Sequence, residues 1–246
     1  MLLTLALTLL APLPAPTDQP AMIDERLEDE AAFEALHEAY EDAYDAWREK
    51  LRAAEGLKER REVRKLEPAV LFRPRFEALA NGGSGRAFVW LIKNASKLEK
   101  RKQVAGVKAE WYGRLFKSHL DAEWFGDVIG MYIKERRDVS AETIELTLAD
   151  ALERSEGDAR ARVLLGLARY RLAGKCNSGL DFYKELLAEH PDSSAAKTAQ
   201  VEYDRLTKFS IGALPPDFTG KTIEGEEISL HANRGKITVI DFWGFW

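Results

Sequence analysis

Between Asp24 and about Leu66 no proline interrupts the chain, and Phe33, Leu36, Tyr40, Tyr44, Trp47, Leu51 and Ala54 recur at steps of three and four. That spacing lines one face of a helix with apolar side chains. It therefore predicts one long amphipathic helix over 24–66, which must cover its stripe with further helices. The first part of this helix is acidic and Lys58–Lys65 is basic. Two readings of those charges stand: patches for charged partners, or a solvated face laced with i,i+4 pairs of the kind Glu34 and Glu38 can make with later Arg and Lys. The second is the simpler.

The helical grammar continues through most of the chain. Pro68 to Ala80 reads as a short helix stopped by Asn81-Gly-Gly-Ser-Gly85. Arg86–Leu98, Val104–Leu120 and the apolar stretch from Trp124 to Ile133 are further helices. Ser140 is placed to cap a helix over Ala141–Glu153, and Ser155-Glu-Gly157 ends it. Residues 158–207 read as three more, with faces made of Val163, Leu164, Leu167 and Tyr170, then Leu180, Tyr183, Leu186 and Leu187, then Val201, Tyr203 and Leu206. Through Leu165-Gly166, Tyr170, Phe182 and Pro191 this stretch resembles a single tetratricopeptide-type (TPR-like) helical hairpin. No second copy recurs at a period near 34, so the expectation is an irregular stack of antiparallel helix pairs.

Composition narrows the function classes. The chain has 246 residues, 46% hydrophobic and 31% charged, which suits a globular protein. Its net charge of −5 speaks against a nucleic-acid partner. A single cysteine, Cys176, excludes a disulfide framework and a cysteine-rich zinc module within these residues. It falls in the turn Gly174–Ser178, where a semi-buried small residue is expected. At the other extreme, Leu2 to Leu13 is an apolar run too short to span a membrane and fits a secretory signal, with no Lys or Arg before it. A disordered apolar N-terminus is the other reading. On the first, residues 1–21 are signal and processing segment, the mature chain starts between Pro16 and Met22, and the protein is exported to the periplasm or cell envelope.

Near Phe209 the grammar changes. Ser210-Ile-Gly-Ala-Leu-Pro-Pro216 reads as a linker, followed by short β-type runs at Phe218–Gly220, Ile228–Leu230 and Ile237–Trp243. The last is apolar on both faces, as an internal strand covered by helices would be. It belongs to an apolar ending with no polar tail, which reads as a cut chain.

Ile211-Gly212, Pro216-Asp217-Phe218, Gly225, Ile228-Ser229-Leu230, Gly235-Lys236 and Val239-Ile-Asp-Phe-Trp-Gly-Phe-Trp246 together resemble the opening of a thioredoxin-like domain of the TlpA/redoxin type, a group that includes relatives of alkyl hydroperoxide reductases. The resemblance covers residues 211–246. Joined to the helical segments read above, it implies a mainly α protein: the helical domain over 22–208, TPR-like at 158–207, is followed over 209–246 by the first strands of an incomplete α/β thioredoxin-like fold. It also implies a thiol–disulfide oxidoreductase acting on protein thiols or disulfides, without a cofactor, with a Cys-x-x-Cys motif due after the second tryptophan. Both cysteines are missing here, so this chain is inactive as given. By the same resemblance Asp241 is the candidate proton acceptor for the resolving cysteine, and Trp243 and Trp246 flank the site. An ordinary strand-end aspartate and plain apolar packing are the alternatives. The helical domain is expected to position the protein or bind a protein partner, and the membrane enters only through export. The competing reading of the whole is a non-catalytic helical interaction module of the envelope.

Other signals carry less. Thr219-Gly-Lys-Thr222 lacks the glycine that a phosphate loop needs at position 215, which is proline. His119 and Glu123 have no third ligand in sequence. Asn94-Ala-Ser96 is a glycosylation sequon inside a predicted helix.

Overall fold

The computed structural model describes residues 20–135, 138–174, 176, 178–209, 211–241 and 243–244, with side chains from residue 30 onward. The protein is mainly helical, with one small two-stranded antiparallel sheet. The expected secretory segment lies almost wholly outside the described residues, as does Trp246. Among the described residues no helix is long and apolar enough to cross a membrane.

The chain forms two compact units, one up to Thr147 and one from Leu148. The first begins with α1 (Pro20–Ala53) and α2 (Gly56–Lys65), followed by α3 (Pro68–Asn81), α4 (Gly85–Leu98), α5 (Arg101–Ser118) and α6 (Phe125–Tyr132). The single helix predicted over 24–66 is thus two. Ala54 and Glu55 break it, because Gly56 takes the left-handed conformation (φ 85°), which glycine adopts without a Cβ penalty. The predicted stripe is placed as its spacing demands: Phe33 and Tyr40 of α1 and Ala54 just after it are buried, and Leu36, Tyr44, Trp47 and Leu51 are half-buried. Within α1 Asp45 pairs with Arg48, whereas Glu34 joins Glu30 on Arg86 of α4.

Aromatic rings hold this unit together. Phe76 and Trp90 stack at 3.7 Å, and Tyr40 meets Trp90 edge-on at 5.0 Å. Around α5 and α6, Phe116 packs edge-on against Phe125 at 5.1 Å and lies 5.0 Å from Tyr132. Such pairs favour offset and perpendicular geometries and bury large apolar areas. The sequon asparagine, Asn94, is consumed inside: it donates to the Trp90 carbonyl at 3.0 Å and accepts from the Tyr40 hydroxyl at 3.4 Å.

Helix α7 (Ala141–Arg154) spans the division between the units, and Ser140 caps it as expected, its Oγ accepting from the Thr143 N–H at 3.0 Å. The second unit contains α8 (Gly157–Ala173), α9 (Gly179–Glu189) and α10 (Ser194–Lys208), which pack on one another. Their core joins Ala161, Leu164, Ala168, Tyr183, Leu186 and Ala199. On α10 the buried face is Ala195, Ala196 and Ala199, whereas Val201 and Leu206, expected in the core, are exposed. Small side chains let α10 approach closely, and Tyr203, the third residue predicted for this face, is half-buried against the same core with its ring 6.3 Å from Tyr183. Gly179 is used the same way, since a Cβ there would lie 2.6 Å from Leu172 Cγ and 2.8 Å from the Ala168 carbonyl oxygen.

Among the described residues, the rest of this unit has little regular structure. β1 (Thr219–Lys221) and β2 (Glu227–Ser229) pair antiparallel with Gly220 opposite Ile228, and a 3-10 turn follows at His231–Asn233. These strands fall on two of the three expected β-type runs. The third, Ile237–Trp243, forms no strand among its described residues. A strand needs a hydrogen-bonded neighbour, and no described residue of this run pairs with β1 or β2.

Candidate functional site

The described residues singled out by the resemblance lie before, in and after this hairpin. Gly225 (φ 89°) makes the turn, and Thr222 supports it: its backbone N–H donates to the Glu226 carbonyl, and its hydroxyl accepts from the Glu226 N–H. Asp217 anchors the hairpin's open end. Its carboxylate accepts from the Ser229 hydroxyl at 3.0 Å and from the His231 backbone N–H at 2.9 Å, and the His231 ring lies 3.4 Å away. The backbone bond from His231 and the Ser229 hydroxyl hold the Asp217 carboxyl below its ordinary range. In the sequence Asp217 stands out only as part of a leader motif. Its connecting role was not legible there, because Ser229 and His231 are 12 and 14 residues away.

Of the candidate site residues, Asp241 and Trp243 are described, and both sit in the open. Asp241 is exposed and Trp243 is 74% exposed. Burial of Asp241 inside a sheet, which would suit a proton acceptor, is not present in this chain. Ile237 (98%) and Val239 (87%) are exposed as well, as are Phe218 and Ile228 of the hairpin.

Cys176 is exposed in the turn between α8 and α9, not semi-buried. Its sulfur lies 3.1 Å from the Ser178 hydroxyl, and hydrogen bonds from Ser178 and Arg171 lower the thiol pKa. With one cysteine in the chain, no internal dithiol can form. His119 lies beside Trp124, ring centroids 5.8 Å apart, and among the described residues no group of three or more His, Cys, Asp or Glu is placed to hold a metal ion.

A polar constellation that sequence reasoning missed lies on α8–α10. Arg169 grips Glu202 with two hydrogen bonds, Nη2 to Oε1 at 2.6 Å and Nε to Oε2 at 3.0 Å, and the Tyr183 hydroxyl donates to Oε2 at 2.6 Å. The Arg169 bonds hold the Glu202 carboxyl below its usual range, and burial, reinforced by the carboxylate, pushes the Tyr183 hydroxyl up. The three line an open cavity of about 370 Å³ with Arg205 and Leu206. The available signal was a pair of opposite charges beside apolar positions, Arg169 before Tyr170 and Glu202 before Tyr203. Nothing in helical spacing says that residues 33 apart meet. In the first unit, cavities of about 210 and 230 Å³ share Arg86 and Trp124, and Arg86 there is already held by Glu30 and Glu34 over the Phe33 ring.

Compared with known proteins, the chain matches no protein-family model, no curated protein and no solved structure.

Proposed function

We propose that residues 209–246 are the opening segment of a thioredoxin-like domain of the TlpA/redoxin type. On this reading a helical part with a TPR-like hairpin at 158–207 carries that domain in an exported thiol–disulfide oxidoreductase. The observation that carries the reading is the exposure of Ile237, Val239 and Trp243 after a hairpin whose residues follow the order leader, glycine turn, Ile-Ser-Leu, Gly-Lys. Apolar residues in that alternation are the kind a sheet covered by helices buries. In the completed domain Asp241 serves as proton acceptor for the resolving thiol, and Trp243 and Trp246 flank the dithiol. The substrates are protein thiols or disulfides, and the dithiol itself lies outside this chain, whose one cysteine is in a helical turn.

Translating the nucleotides that follow the Trp246 codon tests the proposal. The expected result is a Cys-x-x-Cys motif, and insulin reduction by the extended product. An authentic stop codon directly after Trp246, in intact flanking sequence, overturns it. The second reading, a non-catalytic interaction module, is favoured by the charged cavity at Arg169, Glu202 and Arg205. Stable, monodisperse behaviour of residues 22–246 alone would support it, because exposed apolar strand segments otherwise promote aggregation.

A further inference from the structure

The helix α2 is attached to the first unit by one edge only. Trp47 Nε1 donates to the Val63 carbonyl at 2.8 Å, Arg60 Nε reaches the Ala54 carbonyl at 3.3 Å, and no residue of α2 is buried. At about 100° per residue, Leu57, Lys58, Arg60, Arg61, Arg64 and Lys65 fall within about 160° of arc, while Glu59, Glu62 and Val63 share the rest. Half-buried Val63 is the side turned to α1, so the cationic arc faces solvent. Both acids of the helix are engaged at home: Glu59 accepts from the Glu55 backbone N–H at 2.7 Å, and Glu62 pairs with Lys65 at 2.8 Å. Among the described residues Lys58, Arg61 and Arg64 have no ion-pair partner. In a chain of net charge −5, this one arc is strongly positive.

Leu57, 88% exposed, sits in the middle of the arc. Just beyond the helix, Leu66 (59%) and Leu71 of α3 are exposed too. A solvated face has no use for leucines, and a nucleic-acid backbone offers them no apolar surface. An anionic lipid interface takes both: its headgroups attract the cations and its acyl boundary accepts the leucines.

We propose that the α2 face is a docking surface for anionic phospholipid bilayers, with Lys58, Arg61 and Arg64 on the headgroups and Leu57 entering the interface. The sequence alone leaves both readings of these charges open, patches for charged partners or a solvated face. The partnerless cations and the exposed leucine among them are what the structure adds.

The test is cosedimentation of the full chain with vesicles of phosphatidylglycerol and phosphatidylcholine, against vesicles of phosphatidylcholine alone. The expected result is binding that requires phosphatidylglycerol and weakens as salt is raised. The triple substitution Lys58→Gln, Arg61→Gln and Arg64→Gln should lower the partition coefficient by at least about tenfold, given about fivefold per basic residue at such a surface. Leu57→Ser alone should lower it several-fold. These positions are exposed and partnerless, so circular dichroism should show the helices intact in both variants. The proposal is overturned by absence of binding, by equal binding to both vesicle types, or by a triple variant that binds like the parent. Binding of polyglutamate or single-stranded DNA in preference to the anionic vesicles also overturns it, in favour of an acidic macromolecule.

Discussion

Residues 157–208 and residues 217–244 both carry branched and aromatic side chains, yet they treat them in opposite ways. The first stretch closes its apolar faces into a core around Leu164, Tyr183 and Leu186; the second leaves Phe218, Ile228, Ile237, Val239 and Trp243 in solvent. The cause lies in how each kind of segment meets its hydrogen-bonding needs. A helix satisfies its own backbone, and its partners here are the next two helices in sequence. A strand depends on neighbours along both edges, and when buried on both faces it depends on covering helices as well. Helical segments are therefore specified nearby, and a β-type run is specified by whatever chain surrounds it.

The sharpest way to break this contrast is to remove a methyl-rich side chain from the closed side. Leu186 is fully buried against Tyr183 and the α8 residues. Leu186→Ala should cost about 3 kcal/mol, transfer and cavity terms together. Hydrogen exchange of the α8–α10 amides in the full chain reads that loss directly, as the fall in their opening free energy. A change under about 1 kcal/mol would mean that these helices are no better packed than the hairpin.

A smaller effect is expected at the polar network on the same helices. Glu202→Gln keeps the shape but takes the charge from the Arg169 fork, and should cost about 1 kcal/mol, because both partners are partly open to water. The pH dependence gives the more specific readout. The Glu202 carboxyl is held below its unfolded value of about 4.3. Its contribution is therefore present above that pH and lost as pH falls through the folded value. Urea midpoints measured between pH 6 and pH 2 should fall less steeply in Glu202→Gln than in the parent. Parallel curves would show that Arg169 and Glu202 do not couple in solution.

How far the fold was legible follows the same division. The stripe from Phe33 to Ala54, the Ser140 cap and the faces of α8 and α9 could be read directly, because three- and four-residue spacing is a local code. The break at Gly56 was missed because a glycine within a helical pattern is permitted, and only its positive φ shows a stop. On α10 the spacing points to Val201, Tyr203 and Leu206, of which Tyr203 packs on the core, while the buried contact is made by alanines, whose small size matters only once α8 and α9 are in place. Two of the three β-type runs were legible, since a glycine turn and short alternation define a hairpin locally. Ile237–Trp243 was not: its alternation states what surroundings it suits, not whether they are there. The Arg169–Glu202–Tyr183 cluster and the role of Asp217 join residues 12 to 33 apart, beyond any local pattern.

The smallest expected effect is also the one that separates the two stretches most cleanly. Ile237→Ser together with Val239→Ser should change the stability of this chain by no more than about 0.5 kcal/mol, because neither side chain is covered. The pair should at the same time reduce self-association in sedimentation, by removing two apolar groups from solvent. In a gene product extended beyond Trp246 the same two substitutions should behave as core mutations. There they would cost about 3 kcal/mol or more, since each replaces a buried branched side chain with a hydroxyl that has no partner. Neutrality in both forms would show that this run is never buried in a sheet, and would remove the main support for the thioredoxin-like reading. A large cost confined to the extended form would show that the contrast between the helices and the hairpin is one of missing neighbours, and that the residues themselves suit a core.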